Sequence, residues 1–171
     1  MKKTCLTLFL TVLLFSSFAQ THRRNIPGGP ATISRFSIGF EAGLPVGQNG
    51  KLYSSIFGGS FQYEYMPSND LGITLSGGYL NYAFKSYYGG SSIGFIPLLA
   101  GFKYYFTPGV FFHGQFGAAI GTSRGQGISF AYAPGIGFSI TPQLDAELKY
   151  MGISNSGGTL GDIGVRVAYN F

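Results

Sequence analysis

Period-two alternation runs through the chain from residue 35 to its end, and no other feature narrows the fold as much. Successive strand side chains point to opposite faces, so residues i, i+2 and i+4 share one face. In the stretch 35–44, Phe36, Ile38, Phe40, Ala42 and Leu44 take one face, and Arg35, Ser37, Gly39, Glu41 and Gly43 the other. Six more stretches repeat the pattern, at 55–65, 71–82, 93–106, 110–121, 128–140 and 143–152. The eighth is the terminal GDIGVRVAYNF, where Ile163, Val165, Val167, Tyr169 and Phe171 alternate with Gly164, Arg166, Ala168 and Asn170. Within 93–106 the alternation falters, because Pro97 and Leu99 fall on the face opposite Ile96, Leu98 and Ala100. Strands of this length suit a tilted membrane crossing, which takes ~9–11 residues.

The second face separates lipid from water. A soluble sheet would carry Lys, Glu, Thr and Gln there, whereas this chain carries mostly Gly, Ala and Ser. Charged residues make up 10% of the chain and aromatics 17%, with 28 glycines, against ~25% charged in soluble domains. No apolar run after residue 19 approaches a membrane helix, and only helices and closed barrels satisfy their backbone in hydrocarbon. The fold class read from this is all-β: a transmembrane, antiparallel, up-and-down eight-stranded barrel over 34–171, its apolar face toward lipid. Aromatics near strand ends, Phe36, Tyr65, Tyr79, Phe106, Tyr150 and Phe171 among them, suit the interfacial girdles. PSND (67–70), TPG (107–109) and TP (141–142) read as tight turns; PVGQNGKLY, AFKSYYGGSS, TSRGQG and ISNSGGT read as longer loops. An even strand count then places both termini at the short-turn, periplasmic end.

Residues 1–19 read as a signal peptide: Lys2 and Lys3, the apolar LTLFLTVLLF, then small residues at Ser17 and Ala19. Residues 20–33, which include His22, read as a flexible periplasmic segment. The only cysteine, Cys5, leaves with the leader, so no disulfide, thiol nucleophile or cysteine metal site is expected. The net charge of +5 falls to +3 without Lys2 and Lys3. That excess, with no base-stacking or phosphate-cradling motif, excludes nucleic acid as the expected partner.

The stretches IPLLAGFKYYF (96–106), YAPGIGF (132–138), ELKYMGIS (147–154) and VRVAYNF (165–171) together resemble the small outer-membrane β-barrel domain family of Gram-negative bacteria. The likeness covers about residues 34–171 and relates the chain in architecture to the transmembrane domains of OmpA-like and OmpX-like proteins. It implies that Val165, Val167, Tyr169 and Phe171 form the terminal aromatic signal read by the barrel-assembly machinery. No peptidoglycan-binding domain follows, so a wall-anchoring role is not carried over.

Nearly all acidic residues fall on the inward face: Glu41, Glu64, Asp145, Glu147 and Asp162, with Asp70 alone in a turn. Arg35, Lys103, Lys149 and Arg166 share that face with His113 and Gln115. A lone buried charge costs several kcal/mol, so these residues are expected to form a paired network that seals the lumen. Arg166 is expected to bond Glu41, Glu147 or both. His113 shows no Ser and acid arranged around it in sequence, and neither histidine has metal-ligand spacing. No catalytic residue, cofactor or metal is expected. Lys51, Lys85 and Arg124 place positive charge on the longer loops, and Tyr53, Tyr87 and Tyr88 place aromatics there. The expected protein is a monomeric, non-enzymatic outer-membrane barrel with a structural or surface-interaction role. Its expected partners are outer-membrane lipids, lipopolysaccharide and, during biogenesis, the assembly machinery. The alternatives are a narrow solute or ion channel, a lipid-modifying barrel enzyme, and an adhesin.

Overall fold

The computed structural model describes residues 33–88, 91–123 and 125–171, the side chains of residues 48, 49 and 88 excepted. The leader expected over 1–19, most of the 20–33 segment and Arg124 lie outside the described residues. Eight strands form one closed antiparallel barrel in chain order. They are β1 (Ile33–Val46), β2 (Tyr53–Met66), β3 (Leu71–Phe84), β4 (Ser92–Thr107), β5 (Val110–Gly121), β6 (Ile128–Thr141), β7 (Leu144–Asn155) and β8 (Gly158–Asn170). β1 closes on β8, with Glu41 opposite Arg166 and Ile38 opposite Tyr169. Closure leaves no unpaired sheet edge, which is the condition for a sheet to sit in hydrocarbon.

Most strands outrun the alternating stretches by one to three residues, because ladder bonds continue into the Gly- and Ser-rich flanks where side-chain periodicity fades. β1 begins at Ile33, inside the segment expected to be flexible. Both described ends lie at one mouth, with the tight connections 67–70, 108–109 and 142–143. The other mouth carries 47–52, 85–91 and 122–127, of which Gly47–Gly50 forms a helical turn. The fourth connection there departs from the sequence reading. ISNSGGT is a two-residue hairpin, with Asn155 paired to Gly158 and the Asn155 carboxamide accepting the Gly157 amide at 2.9 Å.

The doubtful half of β4 also resolves. Ile96, Leu98 and Ala100 face outward, while Pro97 and Leu99 are buried in the lumen with Phe95. The β3–β4 register skips Gly78 and Tyr79, opposite Pro97, whose ring nitrogen has no hydrogen to donate. Large inward side chains thus fill the long-loop half of the barrel: Ile56, Leu80, Tyr82, Phe95, Leu99, Met151 and Ile153 form one apolar cluster. A smaller cluster, Met66, Tyr105 and Phe111 with Ile33 against it, closes the short-turn half. The ionic residues lie mainly between these two layers.

Candidate functional site in the barrel lumen

Register places Arg166 of β8 level with Glu41 of β1 and Glu147 of β7. Two carboxylates thus flank one guanidinium, and each finds a different partner. Glu41 takes Lys149 Nζ at 2.7 Å and stands 3.7 Å from Arg166 Nε. Arg166 donates its hydrogen bonds to Ser60 Oγ at 2.9 Å and Ser37 Oγ at 3.1 Å. Glu147 turns instead to His113 Nδ1, at 3.0 Å. Arg166 closes on β1 at Gly39, where a Cβ would sit 2.8 Å from the guanidinium Nε and push that side chain aside. One level toward the short turns, Lys103 bonds Glu64 at 3.2 Å and lies 3.9 Å from Asp145. Tyr105 gives its hydroxyl to the other Glu64 oxygen at 2.6 Å, and Lys103 Nζ sits 4.4 Å above the Phe111 ring. Gln115 donates to Ser76 Oγ at 2.8 Å. Asp162 accepts the Tyr82 hydroxyl at 2.6 Å.

Five of the six acidic residues are therefore buried, together with Lys103, Lys149 and Arg166. Arg35 is half-buried at the short-turn mouth. Asp145 Oδ1 and Asn170 Nδ2 are buried without a hydrogen-bond partner among the described residues. The outer surface is the reverse. Phe40, Leu75, Phe61, Ile73, Leu148 and Ile136 stand outside, more than half exposed, around the barrel's waist. Exposed apolar area of this extent has no place in water on a monomer, whereas hydrocarbon receives it without cost. Phe36, Tyr169 and Phe171 gather at the short-turn rim, with Tyr169 and Phe171 5.1 Å apart and Phe171 6.4 Å from Phe36. The terminal stripe Val165, Val167, Tyr169 and Phe171 faces outward throughout.

Solved structures share this fold. The Yersinia pestis outer membrane protein Ail in a phospholipid nanodisc is 24% identical, with a TM-score of 0.60 over 81% of this chain and 98% of that one. Ail crystallised with the heparin analogue sucrose octasulfate is 23% identical, with a TM-score of 0.57 over 81% and 97%. The N-terminal barrel domain of Pseudomonas aeruginosa OprF is 19% identical, with a TM-score of 0.55 over 81% and 97%. The chain has the fold of a small outer-membrane β-barrel. No protein-family model matches it, and no curated protein does.

Inside this outer-membrane-type barrel, one cluster has the form of a hydrolytic triad. His113 Nε2 lies 3.0 Å from Thr74 Oγ1, while its Nδ1 faces Glu147. The sequence shows no Ser and acid arranged around His113; the structure brings a Thr and a Glu to it. The partners come from β3 and β7, 39 and 34 residues away, and no linear pattern joins them. Thr74, His113 and Glu147 are all fully buried, and a nucleophile needs a substrate within reach. A neutral imidazole in this position would donate from Nδ1 to the carboxylate and accept the threonine hydroxyl at Nε2. It acts as a satisfied crosslink between three strands. No group of three His, Cys, Asp or Glu side chains is placed to hold a metal among the described residues. Tyr53, expected at a loop tip, instead packs 4.6 Å from Phe84 and 5.8 Å from Tyr82. Tyr87 is exposed on the short helical turn Ser86–Tyr88, and the Tyr88 side chain lies outside the described residues.

Proposed function

We propose that the chain is an integral outer-membrane barrel of structural or surface-interaction role, with a lumen sealed by its own side chains and no catalytic activity. The observation that carries this reading is the division of the two faces: large apolar side chains outside, and five carboxyls, three cations and His113 inside. An eight-stranded barrel has an interior just wide enough for side chains to fill it. Two apolar layers here bracket an ionic one. Planar-bilayer recording of purified protein tests the seal. The proposal expects no stable open level, and an ohmic, protein-dependent conductance at moderate voltage would establish the channel reading instead.

The lipid-enzyme reading requires a base within reach of the bilayer, and the buried Thr74–His113–Glu147 crosslink offers none. Lipid A of unchanged mass on overexpression is the expected result. For the surface role, Lys51 and Lys85 stand exposed on connections of the long-loop mouth that carry no acid. They suit the phosphates of lipopolysaccharide or other acidic partners. The terminal Val165–Phe171 stripe suits recognition by the assembly machinery. We take the protein to act as a monomer, with the long-loop mouth outward and the short turns in the periplasm.

A further inference from the structure

Arg35 is the one lysine or arginine of the lumen left without a carboxylate partner among the described residues. Lys149 and Arg166 share Glu41, and Lys103 has Glu64 and Asp145. Arg35 stands opposite Glu64 in the β1–β2 register, but the bonds Glu64 makes are to Lys103 and to the Tyr105 hydroxyl. All six acidic residues of the chain lie among the described residues. Of the other four, Glu41 and Glu147 are held by Lys149 and His113, and Asp162 by Tyr82. The last, Asp70, is exposed in the β2–β3 turn and makes no ion pair with Arg35. Among the described residues Arg35 therefore forms no ion pair.

Arg35 also lines a cavity. A half-open hollow of about 690 Å³ lies at the short-turn mouth, lined by Arg35, Met66, Asp70, Tyr105, Ser139 and Thr141 among others. That volume lies within the ~300–1,000 Å³ of small-molecule sites. A guanidinium recognises carboxylate and phosphate through paired N–H bonds. Ser139 and Thr141 bring hydroxyls to the same wall, and Met66 and Tyr105 an apolar surface. Asp70, on the same wall, opposes a second negative group. We propose that this mouth binds a small solute or headgroup through a single carboxylate or phosphate held by Arg35.

The test is a titration of the folded full barrel in maltoside micelles, which carry no anionic or phosphate group. Acetate and inorganic phosphate are the probes, read by the amide resonances of Tyr105 and Ser139 and by the Arg35 Nε–H signal. The site predicts saturable shifts that weaken at least about tenfold in Arg35→Gln and by less in Arg35→Lys, which keeps charge but loses the paired fork. A gel-mobility shift on heating verifies that both variants are folded. Repeating the titration in phosphatidylcholine nanodiscs separates the two sources. An Arg35 signal already at its bound position assigns the anion to a headgroup phosphate, and one that moves only on addition assigns it to a soluble ligand. Absence of a saturable shift in both media, or equal affinity in Arg35→Gln, overturns the proposal.

Discussion

At the residue scale, the lumen's carboxylates differ in what they hold, and the difference is measurable. Glu41 serves two buried cations, Lys149 at 2.7 Å and Arg166 at 3.7 Å. Asp162 accepts a neutral hydroxyl from Tyr82. Removing one partner of a buried ion pair strands the other charge and costs ~3–5 kcal/mol. A neutral amide in place of Asp162 still accepts the Tyr82 bond. Urea unfolding in micelles should therefore show Glu41→Gln destabilised by about 3 kcal/mol or more, and Asp162→Asn by about 1 kcal/mol or less. Equal losses would mean that the Glu41 cluster is not the keystone its geometry indicates. His113 gives a sharper readout, because its two partners dictate a tautomer. Nitrogen-15 NMR should find the proton on Nδ1, facing Glu147, and Nε2 as the acceptor of the Thr74 hydroxyl; a proton resident on Nε2 with bare Nδ1 would contradict the arrangement.

At the element scale, β8 closes the barrel and ends on an aromatic rim. The Phe171 amide donates to the Phe36 carbonyl at 2.8 Å, and its ring meets Tyr169 and Phe36 outside the barrel. Few contacts of the lumen depend on it. Phe171→Ser should reduce the amount of assembled barrel in cells several-fold, while the unfolding midpoint of what does assemble changes little. Comparable losses in both would assign the ring to stability alone. Gly39→Val acts through the opposite face of β1, where an added side chain meets the Arg166 guanidinium. It should cost ~1–3 kcal/mol, the range for overpacking.

The same strands show where sequence suffices. Wherever one face is large and the other small or polar, as in β5 from His113 to Ile120 or in β8 throughout, alternation separates lipid from lumen correctly. It fails where both faces are apolar. Phe95 and Leu99 of β4, Tyr82 of β3 and Phe111 of β5 point inward because the lumen is packed with apolar side chains above and below its ionic layer. Nothing in a run such as GFIPLLAG marks which apolar residue is which. Likewise the inward ionic residues could be read from alternation, but not their pairing. Arg166 faces both Glu41 and Glu147 in register, but Glu147 pairs with His113 on distant β5.

At the scale of the whole molecule, the account rests on an apolar belt that is solvated by lipid and a charged interior that is not. Leu75 stands at the waist, 63% exposed to the surroundings. Arginine there should lower folding stability in bilayers by ~2–4 kcal/mol, as for charge on the lipid face near the midplane. The neighbouring inward Thr74 and Ser76 meet His113 and Gln115 instead. Since Cys5 is the only cysteine and precedes the barrel, single cysteines can be placed and spin-labelled at will. Oxygen concentrates in hydrocarbon, and a soluble nickel chelate stays in water. The decisive measurement is the accessibility of labels along β2 and β3 in lipid vesicles to these two relaxants. Labels at Phe61, Tyr63, Ile73 and Leu75 should be relaxed strongly by oxygen and weakly by nickel, and those at Ser60, Gln62, Thr74 and Ser76 weakly by both. Strong nickel relaxation at the first set, or strong oxygen relaxation at the second, would contradict the assignment of the two faces.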